Sequence, residues 1–150
     1  MTGKFIIRLA TVADAAALTR LNSLFNGSSD PAEVMAQRLA DPRQVEIALV
    51  AESAGQVIGF AGLRRIPSLF YVQTFAELTE LFVEEPYRRQ GIGQALIAVA
   101  EQLAIQSGAR ELLVLTGKDN EEAQALYRSQ GYVEYDDEDL AWHKNLLKAD

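Results

Sequence analysis

The residues best suited to chemistry lie where a predicted strand gives way to a predicted helix. Two arginines, Arg88 and Arg89, precede two glycines, Gly91 and Gly93, at the start of that helix. The first N–H groups of a helix lack partners within it and carry a partial positive charge, and glycine lets a ligand approach the backbone closely. Guanidinium groups also suit phosphate. The spacing therefore predicts an anion cradle, for which a diphosphate is the natural guest.

Two common phosphate-binding motifs do not match this stretch. A dinucleotide fingerprint needs a third glycine three residues after Gly93, where Leu96 stands. A P-loop needs the sequence Gly-Lys-Ser/Thr, which the chain does not contain. The diphosphate ligand is therefore expected to be of another kind.

Two carboxylates, Glu77 and Glu80, fall within a strand that should be buried in the middle of a sheet. Burying a charge is costly, and burial raises the pKa of a carboxyl group toward a value useful for a general base. Strand alternation predicts that Glu77 shares a face with Leu81 and Val83, while Glu80 points the other way. Either glutamate is a candidate base.

Composition excludes several classes of site. The chain of 150 residues has the length of one domain, so residues 1–150 are expected to form a single domain. With no cysteine and one histidine, thiolate metal sites, cysteine nucleophiles and two-histidine zinc sites are excluded, and no metal is expected. His143 lies in a predicted strand, where a packing or surface role is favoured. The net charge of −7 disfavours a nucleic-acid partner and slightly favours a cationic or neutral substrate.

The elements that must position these residues alternate between strands and helices. Apolar runs predict strands over residues 5–9, 45–52, 56–65, 74–83, 112–115, 132–135 and 140–147. Helical periodicity and capping residues predict helices over about residues 11–25, 30–41, 91–107 and 120–130, with a capping box formed by Thr11 and Asp14. The crossover through residues 91–107 requires one parallel strand pair. The fold class is therefore a mixed, mostly antiparallel α/β sheet of about seven strands flanked by about four helices.

The stretch Arg88-x-x-Gly91-x-Gly93 resembles the coenzyme A signature, Arg/Gln-x-x-Gly-x-Gly/Ala, of the GNAT N-acetyltransferase superfamily. The resemblance covers nearly the whole chain. Asn120-x-x-Ala123-x-x-Leu126-Tyr127-x-x-x-Gly131-Tyr132 is similar to the second cofactor motif of that family, with tyrosine at its last position where phenylalanine is usual. The family's sheet is splayed in the middle, and acyl-CoA inserts there.

The resemblance implies roles for individual residues. Tyr127 matches the tyrosine that protonates the leaving thiolate, and Glu77 matches a glutamate that some members use as the base, whereas others use a water chain. Glu80 remains a second candidate base. The backbone of residues 81–83 would hydrogen-bond the pantetheine arm and polarise the thioester. The residues expected to bind the cofactor are Leu81, Phe82, Val83, Arg88, Arg89, Gln90, Gly91, Ile92, Gly93, Gln94, Asn120 and Tyr127.

The expected function is an N-acetyltransferase that carries an acetyl group from acetyl-CoA to the amine of a small molecule or protein by direct attack. One alternative is a non-catalytic acyl-CoA-binding regulatory module on the same fold, and a weaker one is a nucleotide-binding module. The acidic run at residues 136–139 would border the acceptor site in this family and favour a cationic amine. A cytoplasmic location and no membrane partner are expected, because no apolar run is long enough to span a bilayer. A homodimer stays open, since family members often pair through edge strands.

Overall fold

Five β-strands form one mixed sheet in the computed structural model, which describes residues 3–135 and 141–147. The strands are β1 (Ile6–Leu9), β2 (Glu46–Ser53), β3 (Gln56–Ile66), β4 (Phe75–Val83) and β5 (Leu113–Val114). They lie side by side in chain order. From β1 to β4 each strand is antiparallel to the next, whereas β5 is parallel to β4. The predicted parallel crossover is therefore confirmed.

The described residues form four helices: α1 (Ala15–Asn26), α2 (Ala32–Ala40), α3 (Ile92–Gln106) and α4 (Glu121–Ser129). Short 3₁₀ turns cover Val12–Asp14 and Glu85–Tyr87. Leu18 and Leu21 of α1 pack in one buried cluster with Val50 and Phe60 of the sheet, and Met35 and Leu39 of α2 pack against it. Helix α3 contacts β2, β3 and β4 and buries its own apolar side chains. These two cores fix the sheet between helices.

An ion-pair network ties the first strand to the start of α1. Arg8 donates to both oxygens of Asp14 at 2.8 and 2.9 Å and to Glu52 at 2.7 Å. Asp14 is buried and also accepts from the backbone N–H of Thr11 at 2.7 Å, which confirms the predicted capping box. The hydrogen bonds from Arg8 hold the pKa of Asp14 at about 2, well below its ordinary value.

The structure has fewer strands in its described residues than the seven predicted. Residues 132–135 and 141–147 form no strand, and residue 140 lies outside the described residues. Val133 and Leu146 are largely exposed, so the apolar residues of this segment lack the buried face that a strand needs. The strand predicted over residues 112–115 is also shorter, and its two residues are half-buried rather than covered on both faces.

The chain divides into two compact units between Gly117 and Lys118. The sheet and helices α1 to α3 belong to the first unit, and α4 belongs to the second. None of the helices within the described residues has the length and apolar character needed to cross a membrane.

Candidate active site

A β-bulge in β4 lies between the two candidate bases. Along the pairing of β3 with β4, Leu78 stands opposite Leu63 and Glu80 stands opposite Gly62. Two steps along β4 therefore correspond to one step along β3, and Thr79 is the extra residue. An extra residue reverses the alternation of faces for everything beyond it in the strand.

The bulge places both glutamates on the same face of the sheet. Glu77, Glu80 and Phe82 pair with alternate residues of β3 and so share one face, whereas Leu81 and Val83 lie on the other. The prediction that Glu77 shares a face with Leu81 and Val83, with Glu80 opposite, is wrong. Strict alternation assumes one residue per step, and the inserted residue breaks that assumption.

Glu80 lies half-buried on the face that α1 covers. The side chain of Asn26, the last residue of α1, lies near the Glu80 carboxylate. Burial raises the pKa of Glu80 above its ordinary value, the nearby amide of Asn26 opposes the rise, and the negative charge of Glu46 adds to it. A carboxylate with a raised pKa is suited to accept a proton near neutral pH.

Glu77 is engaged differently. Its Oε2 accepts a hydrogen bond from Arg64 at 3.2 Å, and Arg64 also lies 4.0 Å from the carboxylate of Glu46. The hydroxyl of Thr79 donates to the same Glu46 carboxylate. Glu77 is therefore half of an ion pair, whereas no ion pair is recorded for Glu80 among the described residues.

Within the described residues, β4 lacks a strand partner on one side over the segment that was expected to bind a cofactor. Strand β5 pairs with β4 only at Glu77 and Leu78. Among the described residues, no strand pairs with β4 beyond Leu78 on that side. The sheet thus opens beside residues 79–83, so backbone groups there are available to a ligand.

The turn after β4 carries the predicted anion cradle. Arg88 donates from Nε to the carbonyl of Val83 at 2.8 Å, and its guanidinium carbon lies 5.5 Å from the centre of the Phe82 ring. Two residues of the turn are left-handed, Arg89 with φ of 62° and Gly91 with φ of 81°. These contacts hold the turn against the end of the open strand.

The cradle fits a bulky anion. The first backbone hydrogen bond of α3 runs from the N–H of Ala95 to the carbonyl of Gly91 at 3.0 Å. The N–H groups of Ile92, Gly93 and Gln94 precede that bond and have no acceptor inside the helix. Nothing lies within 4 Å of where a side chain on Gly91 would begin, so the space beside the backbone is open. With exposed Arg88 nearby, this donor set suits the diphosphate of coenzyme A.

The remaining predicted residues lie on α4 in the second unit. Asn120 caps α4, because its side-chain oxygen accepts from the N–H of Ala123 at 3.1 Å. Tyr127 is half-buried, and its ring centre lies 5.7 Å from that of Tyr132. Burial raises the pKa of Tyr127 above its ordinary value, so the phenol stays protonated at neutral pH.

His143 and the acidic run at residues 136–139 are two further sequence features. His143 is exposed in a segment without strand structure. The acidic run at residues 136–139 lies outside the described residues, so its expected place beside the acceptor stays a prediction.

Several residues that shape the site could not be identified from sequence patterns. Thr79, Glu46 and Arg64 surround the two glutamates, and Asn26 reaches Glu80 from α1. Arg20 binds Glu84 at 2.8 Å, which ties α1 to the chain directly after β4. The strand register would have brought Glu46 and Arg64 together, since they stand opposite each other, but the bulge itself has no signature in the sequence.

Comparisons with known proteins point to one family. The model of the "Acetyltransferase (GNAT) family" matches residues 15–132. YhfO of Bacillus subtilis, named an uncharacterized N-acetyltransferase, is 32% identical over 134 residues, which cover 85% of this chain and 89% of that protein. The aminoglycoside N(6')-acetyltransferase type 1 of Stenotrophomonas maltophilia is 31% identical over 134 residues, which cover 85% of this chain and 86% of that enzyme.

A solved structure has the same fold. The aminoglycoside N-acetyltransferase AAC(6')-Iy in complex with CoA superposes with a TM-score of 0.79, covering 97% of each chain at 18% identity. At that identity the match shows the fold alone.

Proposed function

The chain belongs to the GNAT acetyltransferase family, and from that premise we propose that it transfers an acetyl group from acetyl-CoA to the amine of a cationic acceptor. The family match confirms the resemblance, the fold class and the N-acyltransferase class predicted from the sequence. A non-catalytic module is not favoured, because relatives aligned along most of the chain are named N-acetyltransferases. The family model also spans both units, which supports the prediction of a single functional domain.

One observation carries the proposal: the open side of β4 leads directly into the arginine–glycine turn. Acetyl-CoA would supply the acetyl group as an activated thioester. The N–H groups at the start of α3, together with Arg88 and Arg89, would bind its diphosphate. The backbone of residues 81–83 would hold the pantetheine arm along the free side of the strand. Asn120 and Tyr127 are proposed as further contacts.

Polarisation of the thioester would come from a backbone N–H within residues 81–83. Such a donor is fixed by the strand before the reaction begins, so it can stabilise the negative charge that develops on the carbonyl oxygen. The pairing with β3 holds this part of the backbone, while no strand of the described residues pairs with its other side.

We assign the general base to Glu80 in preference to Glu77. The amine nitrogen must lose a proton as its electron pair forms the new bond to the acetyl carbon. Glu80 would take that proton, since its carboxylate is partly buried and its pKa is raised. Glu77 accepts a hydrogen bond from Arg64 at 3.2 Å. This ion pair favours a structural role on that face of the sheet over a role in proton transfer.

Tyr127 is proposed as the general acid. As the carbon–sulfur bond breaks, its electron pair leaves with sulfur, and the phenol would supply the proton that neutralises the thiolate. The support is the family motif around Tyr127 and a pKa that burial raises. A phenol that stays protonated at neutral pH has the proton available when it is needed.

The acceptor is proposed to carry positive charge. Glu46, Glu77 and Glu80 lie on one face of the sheet with Arg64 as the cation recorded among them. The net charge of −7 and the four acids at residues 136–139 also favour a positively charged acceptor. Relatives that align with most of the chain include an enzyme named for aminoglycosides, which are polyamines.

The test is a measurement of free thiol release from acetyl-CoA by the purified protein. We expect release that depends on an added amine and is fastest with polycationic acceptors. Matched neutral amines serve as controls. Acetyl-CoA binding without thiol release, across polyamines, aminoglycosides, amino acids and peptides, would instead support the non-catalytic module.

A further inference from the structure

A glycine of β3 leaves a gap on the sheet face beside the bulge of β4. Gly62 is buried and stands opposite Ala48 of β2 on one side and Glu80 of β4 on the other. A side chain at Gly62 would begin 3.0 Å from Oε1 of Glu46 and would overlap the hydroxyl of Thr79. The missing side chain therefore provides the space in which those two groups lie.

Two polar side chains meet in that gap. The hydroxyl of Thr79, the extra residue of the bulge, donates to Oε1 of Glu46. Because Glu46 belongs to β2, this hydrogen bond crosses the full width of β3. A hydrogen bond to a carboxylate is charge-assisted and is stronger than one between neutral groups. We call this contact the Thr79–Glu46 bridge, and it ties the bulge of β4 to a strand two positions away in the sheet.

The Thr79–Glu46 bridge lies next to Glu80. The point at which a Gly62 side chain would begin is 3.5 Å from Cβ of Glu80. Thr79 and Glu80 therefore both project over Gly62, although consecutive residues of a regular strand point to opposite faces. Without the extra residue, strand alternation would turn Glu80 to the opposite face of the sheet. The bulge thus decides which face carries the Glu80 carboxylate.

We propose that Thr79 is a positioning residue for acetyl transfer: its bridge to Glu46 across Gly62 fixes the bulge, and the fixed bulge presents Glu80 to the acceptor amine. The proposal rests on the proposed function and on the assignment of Glu80 as base. Bulges beside active sites commonly serve to aim a side chain. A bulge whose extra residue is hydrogen-bonded across the sheet holds that aim more firmly than backbone pairing alone.

Breaking the bridge should affect the chemical step more than the binding of acetyl-CoA. Beyond the bulge, residues 81–83 pair with residues 59–61 of β3, through backbone that the bridge does not include. The following turn is held by the hydrogen bond from Arg88 to the carbonyl of Val83. The direction of Glu80, in contrast, depends on the bulge. Proton transfer from the acceptor amine should therefore slow, because it requires the carboxylate in place.

The experiment measures kcat at saturating amine, and the KM for acetyl-CoA, in Thr79→Val and Thr79→Ser. Thr79→Val keeps the shape of the side chain and removes the donor. We expect kcat to fall about tenfold with the KM little changed, because misplacing a reacting group is costly. Thr79→Ser keeps the hydroxyl and should retain most of the activity. The control is Thr74→Val, which removes a hydroxyl that donates to the carbonyl of Ser107 at 2.7 Å, and it should leave kcat unchanged.

A second variant reaches the bridge from β3. Gly62→Ala removes no hydrogen-bonding group, but its methyl group would occupy the gap in which Thr79 and Glu46 meet. We expect a similar loss of kcat. The double variant Gly62→Ala with Thr79→Val should lose little more than either single variant, because both changes break the same contact.

The outcomes separate this inference from the proposed function. Full kcat in folded Thr79→Val, or an equal loss in Thr79→Val and Thr79→Ser, would overturn the positioning role. If Glu80→Gln still lowers the rate in that case, the proposed function and its base both stand. No amine-dependent thiol release from the unmodified protein would overturn the proposed function itself, and this inference with it.

Discussion

At the scale of single residues, the two glutamates of β4 differ in what they contact rather than in the face they occupy. Glu77 forms an ion pair with Arg64, while Glu80 meets an amide and a second carboxylate. A carboxylate bound to a guanidinium already has its charge compensated, whereas one near another carboxylate gains by accepting a proton. This difference underlies the assignment of the base.

The first prediction compares Glu80→Gln with Glu77→Gln. Glu80→Gln should lower kcat/KM at neutral pH by about 10²-fold, because general bases commonly contribute at least that factor. It should also remove the acidic limb of the pH profile, and high pH should partly rescue the rate, since more of the amine is then neutral. The measurement is the thiol-release rate from pH 5 to 10. Loss of the limb in Glu77→Gln alone would reverse the assignment.

The second prediction concerns Tyr127→Phe, which keeps the ring and removes the proton donor. Turnover should fall by about 10²-fold, the lower end of the range for general acids, because a thiolate is a fairly good leaving group. Affinity for acetyl-CoA, measured by calorimetry, should change little. Full turnover under conditions where chemistry limits the rate would return Tyr127 to a packing role beside Tyr132.

At the scale of elements, patterns in the sequence predicted much of the fold. The helices and the long strands appear where periodicity, capping residues and glycines place them, because each signal is local to its element. The turn between β4 and α3 could be predicted for the same reason, whereas its binding of a diphosphate stays a prediction. The β-bulge at Thr79 could not, because it depends on how β4 meets β3 rather than on the residues of β4 alone.

The predicted final hairpin does not appear in the part of the chain that the structure describes, for a related reason. The apolar residues of segments 132–135 and 141–147 fit a strand, but a strand also needs a partner backbone and a face to bury. Exposed Val133 and Leu146 show that the described residues of this region lack such a face. The approach of Asn26 to Glu80 could not be predicted either, because it brings a helix end near a strand far along the chain.

The third prediction tests the turn between β4 and α3. Gly91→Ala should weaken coenzyme A binding, because a side chain enters the open space beside the first N–H groups of α3 and the left-handed backbone becomes strained. Arg88→Ala should weaken binding about tenfold through lost hydrogen bonds to phosphate.

Matched controls exist for both changes in the turn. Gly55 is also left-handed, with φ of 77°, and lies in the hairpin between β2 and β3, so Gly55→Ala introduces the same strain away from the turn. Arg43→Ala removes an exposed arginine that pairs with Asp41. Calorimetry should show weaker coenzyme A binding for Gly91→Ala and Arg88→Ala than for the two controls. Equal affinities in folded test and control variants would contradict diphosphate binding at this turn.

At the scale of the whole molecule, stability should depend on pH through Asp14. Its pKa of about 2 in the folded protein lies below its ordinary value of 3.8, so folding favours the ionised form. The stabilisation is therefore complete above about pH 4 and is lost as pH falls toward 2. A shift of this size corresponds to about 2 kcal/mol.

The fourth prediction follows from that dependence. The free energy of unfolding, from urea titrations between pH 2 and 6, should fall by about 2 kcal/mol through the acidic range. Asp14→Asn should be less stable at pH 6 and should vary less with pH over the same range. A parallel dependence in both proteins would show that other carboxylates, and not the contact with Arg8, set the acid sensitivity.

The central claim is that this chain moves an acetyl group from acetyl-CoA to an amine. The direct measurement supplies isotopically labelled acetyl-CoA with a polycationic amine and identifies the product by mass spectrometry. The account predicts a labelled amide on the amine, formed by the unmodified protein and strongly reduced in Glu80→Gln at neutral pH. A protein that binds acetyl-CoA yet leaves every amine unlabelled would contradict it.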